Sequence, residues 1–198
     1  MDLLGYIVLT GILSFLMSFS IGANDAANAL ATSYGSNALG LLWLVLCGSV
    51  FEFIGAYFCS GQVAGDLVTS IIQNIDTLDD ITVAKMMLGA SIASFIFIMS
   101  SSLFGMPISG THTVIGALIG SGLAALGPSN IDWQQLGIIF LGWIVAPLLA
   151  IVLTCLLLLA VCSLTLNLRR DFQTRLLWLT ALSAFATFMI VFMFIALL

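Results

Sequence analysis

Three polar side chains lie in residues 22–30, GANDAANAL, directly after a long apolar run. In a helix, Asn24 and Asn28 are four residues apart and Asp25 and Asn28 three, so that all three can converge on one side. An aspartate at the centre of a spanning helix costs roughly 2.5 to 3.5 kcal/mol, and such an acid normally faces a cavity or a cation. Oxygen ligands of this kind suit a hard cation. We therefore predict a sodium site at Asn24, Asp25 and Asn28, against the alternative that these groups only hydrogen-bond neighbouring helices.

A second polar group lies in residues 107–116, PISGTHTVIG, before a short apolar stretch. Free N–H groups and the positive dipole end at a helix N-terminus can bind an oxyanion without lysine or arginine. The candidate anion-binding residues are Ser109, Gly110, Thr111, His112 and Thr113. The alternative is that the hydroxyls satisfy backbone groups at a kink. His112 can carry a proton, contact the anion or support the hairpin.

Glu52 is the other acid well inside an apolar stretch. It can contact the cation site, relay a proton or hydrogen-bond across helices, and we favour a functional role in coupling. A hydrolase would need Ser109 or Thr111 as nucleophile, His112 as base and an orienting acid such as Asp25. Because Ser109 and His112 are near neighbours on one turn, we expect no enzymatic activity.

Composition places the chain in the membrane. Hydrophobic residues make up 62% of it and charged residues 7%, whereas an ordinary soluble domain is about 25% charged. Four cysteines lie in apolar runs without metal-ligand spacing, and they indicate packing rather than a metal or a disulfide: Cys47, Cys59, Cys155 and Cys162. We expect no cofactor and no nucleic-acid partner.

Membrane-length apolar stretches then define the elements that position these groups. The predicted spans are 3–33, broken at 22, and 38–60, 83–105, 136–164 and 174–198. Unwinding near 22 would free the carbonyls of Gly22 and Ala23 for the cation. Between the third and fourth spans, 106–128 contains Pro107, Gly110, Gly116, Gly120 and Gly122, which indicates a broken or re-entrant hairpin. We predict an all-α polytopic membrane protein, with residues 1–198 as a single transmembrane domain.

The topology depends on that hairpin. If 106–128 enters and leaves on the same side, all Lys and Arg residues share one face: Lys85, Arg169, Arg170 and Arg175. The positive-inside rule then places the N-terminus in the cytoplasm. The first run lacks a basic region and a cleavage site, so we expect it to be retained as a span. Since the sequence stops within its last apolar run, we expect a trimmed or split chain.

Three motifs together carry a family resemblance: GANDAANAL followed by TSYGS, the FEFIG glutamate, and PISGTHTVIGA. They resemble the amino-terminal half of the inorganic phosphate transporter (PiT) family, over most of the chain. Many bacterial members carry Ser or Thr at the position of Gly110. A glycine there resembles the eukaryotic members more. The resemblance implies an inverted-repeat secondary transporter that moves phosphate with sodium, or in some members with protons, and makes residues 1–198 one transmembrane repeat unit of it. A sulfate permease and a noncatalytic membrane assembly subunit are the alternatives.

By the same resemblance, Asn24, Asp25 and Asn28 belong to the cation site, and Ser109 and Thr111, with His112 and Thr113, to the phosphate hairpin. The family has two halves with one such pair of motifs each, whereas this chain has one. We therefore expect a partner, either a separate second half or an antiparallel copy of this chain, in a multi-pass protein of the plasma or inner membrane. Eukaryotic relatives imply an extracellular N-terminus, opposite to the charge-based prediction.

Overall fold

The computed structural model describes residues 2–165, 174 and 177–186, and its secondary structure there is almost entirely helical. The long helices are α1 (Leu3–Gly35), α2 (Leu41–Ile71), α3 (Asp80–Leu103), α4 (Gly110–Leu126) and α5 (Trp133–Thr165). All but α4 contain stretches long and apolar enough to cross a membrane. The prediction of an all-α polytopic membrane protein is confirmed. Of the predicted last span, 174–198, only a short apolar helix, Leu177–Ala186, falls within the described residues.

The chain divides into two compact units, Met1–Trp133 and Gln134–Leu198. In the first unit α3 is central and packs against both α1 and α4. Its contact face carries small residues, among them Ala90, Ser91 and Ser94, which are buried. Small side chains let helix backbones approach closely, which is the usual basis of helix association in lipid. The second unit contains most of α5, which has Pro147 in its interior and leucines exposed along its length.

Helix α1 is continuous through Gly22, so the predicted break at that position is wrong. A glycine costs about 1 kcal/mol relative to alanine in a helix interior, which is too little to unwind a helix without a competing partner for the backbone. The surrounding sequence contains no proline and several alanines. The carbonyls of Gly22 and Ala23 therefore stay within the helix rather than being freed.

Helical structure is interrupted between α3 and α4. Gly105 has a φ of 67°, which closes the end of α3, and the Met106 N–H donates to the Ser101 carbonyl at 2.9 Å. Pro107 cannot continue the helix, and α4 begins only after Ser109. The interruption predicted across 106–128 is confined to this turn, since the later glycines lie within continuous helix.

Helix α4 runs antiparallel to α3. Near its end, a Cβ placed on Gly122 would lie 2.7 Å from the Cδ1 of Ile72 and 3.9 Å from the Sδ of Met86, near the start of α3. The adjoining connection is fixed by two backbone bonds, from Gln73 to Asn130 and from Asp132 to Ile71, both 2.9 Å. The two ends of α4 therefore lie at opposite ends of α3. The charge-based topology required residues 106–128 to enter and leave on the same side, and this requirement is not met.

Candidate functional site

Asn24 fastens α1 to the turn before α4. Its Nδ2 donates to the Ser102 hydroxyl at 3.1 Å and to the Met106 carbonyl at 3.0 Å, and its Oδ1 accepts from the Ile108 N–H at 3.0 Å. The side chain is buried, with 8% of its surface exposed. Both amide hydrogens and one acceptor position are thus occupied by protein. Asn24, predicted as a cation ligand, is in this geometry a link between two backbone segments.

Ser109 caps the N-terminus of α4. Its Oγ accepts from the His112 N–H at 3.3 Å and lies 2.6 Å from His112 Nδ1. The Thr113 hydroxyl donates to the Ser109 carbonyl at 2.9 Å. His112 and Thr113 therefore both make hydrogen bonds back to the capping residue. The first N–H groups of a helix have no intrahelical partner. At the start of α4, this applies to the N–H groups of Gly110 and Thr111.

Asp25 is the half-buried neighbour of Asn24, and it faces the start of α4. A Cβ placed on Gly110 would lie 3.8 Å from Asp25 Oδ2. Asn28 Nδ2 donates a long bond of 3.5 Å to Asp25 Oδ1, which leaves the amide oxygen available. Since Gly110 has no side chain, the carboxylate and the N-terminus of α4 can approach one another.

These groups line one cavity of about 760 Å³. Its polar lining residues are Asp25, Asn28, Ser60, Ser109 and Thr111. Asp25 is the one charged residue among the described lining residues. A carboxylate, an amide oxygen, hydroxyls and helix N–H groups offer ligands both to a hard cation and to an oxyanion.

Glu52 lies in a second cavity, of about 540 Å³, between α1 and α2. Asp25 also lines this cavity, so that the same residue borders both spaces. Gly22 and Ala23 line the second cavity as helical residues. Asp25 and Glu52 thus line one cavity, and Asp25 also lies beside the α4 N-terminus.

Two contributors to the site were not predicted. Ser60 lines the cavity from α2, and Ser102 anchors Asn24 from α3. Ser102 ends a run of three serines directly before the turn, and that run was the available sequence signal. Ser60 has no comparable signal, since only helix packing brings it to the cavity.

Comparison with known proteins gives a consistent result. The model of the phosphate transporter family matches residues 21–196. A sodium-dependent phosphate transporter of Plasmodium falciparum is 36% identical over 152 residues, covering 75% of this chain and 22% of that protein. A phosphate-repressible phosphate permease of Neurospora crassa is 36% identical over 148 residues, covering 70% of this chain and 25% of that protein.

A solved structure is also similar. The sodium-dependent phosphate transporter superposes with a TM-score of 0.81 at 29% identity, covering 86% of this chain and 42% of that one. The chain spans about a third of the length of several curated relatives, between 34% and 37%. Because the family match extends over residues 21–196 and thus includes both polar motifs, this membrane protein belongs to the phosphate transporter family.

Proposed function

We propose that this chain is one repeat unit of a secondary transporter that carries inorganic phosphate together with sodium, and that it is not an enzyme. One observation carries the proposal. The Asp25 carboxylate lies beside Gly110, the first residue of α4, so that an acid suited to a cation and a helix N-terminus suited to an oxyanion border one cavity. The sodium-dependent transporters named above support the choice of cation.

Charge explains why the two substrates would move together. Phosphate and the Asp25 carboxylate are both negative, and like charges about 4 Å apart repel by roughly 4 kcal/mol at an effective dielectric constant of about 20. A sodium ion bound to Asp25 and the Asn28 amide oxygen would neutralise the acid. Phosphate would then bind the N–H groups of Gly110 and Thr111 at lower cost. In this proposal sodium binding is the condition for tight phosphate binding.

The cavity needs a second set of ligands. In the proposal, residues 1–198 form one unit and a second repeat completes the site, which agrees with the 42% coverage of the solved transporter. A separate second half is favoured over an antiparallel copy, since the curated relatives are much longer than this chain.

Hydrolysis is disfavoured by the position of Ser109, which is one of the two candidate nucleophiles and lies in contact with His112. The Ser109 hydroxyl lies close to His112 Nδ1, as a nucleophile and base would. However, the same oxygen caps α4 by accepting the His112 N–H, which fixes it within the first turn of the helix. A serine-directed covalent probe should leave Ser109 unlabelled.

The direct test is phosphate binding by the purified protein in lipid nanodiscs, with its complementary half, measured by isothermal titration in sodium and in choline. We expect sodium to tighten binding at least tenfold, and Asp25→Asn to remove most of that difference. Phe51→Leu, an exposed residue on α2, is the matched control. Binding that is equal in both salts, or unchanged by Asp25→Asn, would overturn the proposal. Sulfate in competition distinguishes a phosphate site from a general site for tetrahedral anions.

A further inference from the structure

Two buried serines of α3 face a cavity that the site above does not use. Ser94 is 1% exposed and Ser91 is 9% exposed. The other three serines on α3, Ser100, Ser101 and Ser102, bond the carbonyl four residues back. Among the described residues, Ser91 and Ser94 make no such bond, and both line a cavity of about 140 Å³. A cavity of this size, lined by two serines, is large enough to hold ordered water.

This small cavity lies between two larger ones. It shares Leu67 and Val114 with the 760 Å³ cavity that contains Asp25. It shares Val68 and Met87 with a third cavity, of about 940 Å³, at the end of the bundle where α1 and α3 begin. The three spaces therefore follow one another along the bundle, and the two apolar residues that neighbouring cavities share form a boundary pair at each junction.

The third cavity also contains an unsatisfied group. Thr10 Oγ1 is buried and lacks a hydrogen-bond partner among the described residues, and Thr10 lines this space. Asp76 and Asp80 line it as well. Across all three cavities, the described lining residues include three carboxylates, with Asp25 at one end, and neither lysine nor arginine. Such a lining attracts cations and repels phosphate.

We propose that these cavities form a hydrated path for the coupling cation, leading from Asp25 past Ser94 and Ser91 to Asp76 and Asp80. Its use by the cation rests on the proposed function, whereas its hydration and charge preference do not. The apolar boundary pairs act as narrow points that small side-chain movements open. Phosphate would reach the site by another route, because the middle cavity offers it hydroxyls but no compensating positive charge.

The test introduces single cysteines into a protein whose four native cysteines are replaced by alanine, reconstituted in lipid. Ser94→Cys and, as a second variant, Ser91→Cys are treated with cationic aminoethyl methanethiosulfonate and with its anionic sulfonatoethyl analogue. Ile96→Cys, 58% exposed on the same helix, is the lipid-facing control. Ser36→Cys, exposed in the turn after α1, is the water-facing control. Thiols react as thiolates, which require water.

We expect Ser94→Cys to react at least roughly tenfold faster than Ile96→Cys. Its preference for the cationic reagent, relative to that of Ser36→Cys, should be on the order of tenfold and should fall when Asp76 and Asp80 are changed to Asn. Val114→Trp should slow labelling from the Asp25 side. If both serine positions react no faster than Ile96→Cys, or show no cation preference, the path is refuted. Loss of sodium-dependent phosphate binding in the unlabelled protein would instead refute the proposed function.

Discussion

Asn24 and Asp25 are neighbours in sequence but make different contacts. One residue advances a helix by about 100°, so that Asn24 faces the turn before α4 while Asp25 faces the cavities. The sequence identified both as unusual polar groups at membrane depth. It could not divide their roles, because that division depends on which side of α1 meets α3. The prediction that Asp25 and Asn28 act as cation ligands stays a prediction.

The role of Asn24 as a link can be tested without transport. Asn24→Ala removes three hydrogen bonds, each contributing about 0.5 to 1.5 kcal/mol net, so local opening of the turn should increase on the order of tenfold or more. Ser102→Ala, the control, removes one of the three and should have a smaller effect. Hydrogen exchange at the Ile108 amide, followed by mass spectrometry, measures the opening. Equal exchange in the two variants would contradict the assignment.

At the scale of elements, the sequence predicted which segments are helices better than where they end. Helix α2 continues to Ile71, well past the predicted end at residue 60, because a helix need not stop where hydropathy falls. The break before α4 was predictable from Gly105 and Pro107, which combine a left-handed position with a residue that cannot continue a helix. The glycines of α4 wrongly indicated a broken segment, because glycine also occurs where helices pack closely, as at Gly122.

Gly122 provides a test of the α2–α4 packing. An alanine Cβ there would lie 2.7 Å from Ile72 Cδ1 and 3.0 Å from Ile131 Cδ1, and both isoleucines are buried. Overpacking of this kind costs about 1 to 3 kcal/mol. Gly120→Ala, which meets nothing within 4 Å, is the matched control and should be neutral or slightly stabilising. We expect a lower thermal midpoint for Gly122→Ala alone, measured by circular dichroism in detergent. The same midpoint for both variants would exclude tight packing at this position.

At the scale of the whole molecule, the resemblance of the polar motifs correctly predicted the family, whereas the second half that their single copies led us to expect stays a prediction. The chain covers 42% of the solved transporter. The orientation in the membrane could not be predicted from the sequence. It depends on the number of crossings, and that number depends on the course of residues 106–128. That course is set by α4 packing along α3 to the level of Met86, a tertiary contact without a hydropathy signal.

Orientation in the membrane distinguishes the two kinds of partner. If a separate half completes the site, every copy of this chain should insert the same way, whereas an antiparallel pair requires both orientations. In the cysteine-free background, Ser36→Cys should react with an impermeant maleimide from one side of the membrane only. Permeabilised cells provide the total, and Ile96→Cys the unreactive control. Equal labelling from both sides would instead support the antiparallel copy.

Under the proposed function, the hydrogen bonds of Asn24 would also connect the cation site with the N-terminus of α4. The residue that ties α1 to the turn is adjacent to the acid that would receive the cation, so that a movement of α1 on cation binding would also move the α4 N-terminus. The order of the two residues is therefore not interchangeable. Aspartate followed by asparagine would keep the same composition but would put a charge in the buried joint and an amide in the cavity. Because neighbouring residues point about 100° apart on a helix, the order Asn–Asp places the amide in the joint and the carboxylate in the cavity.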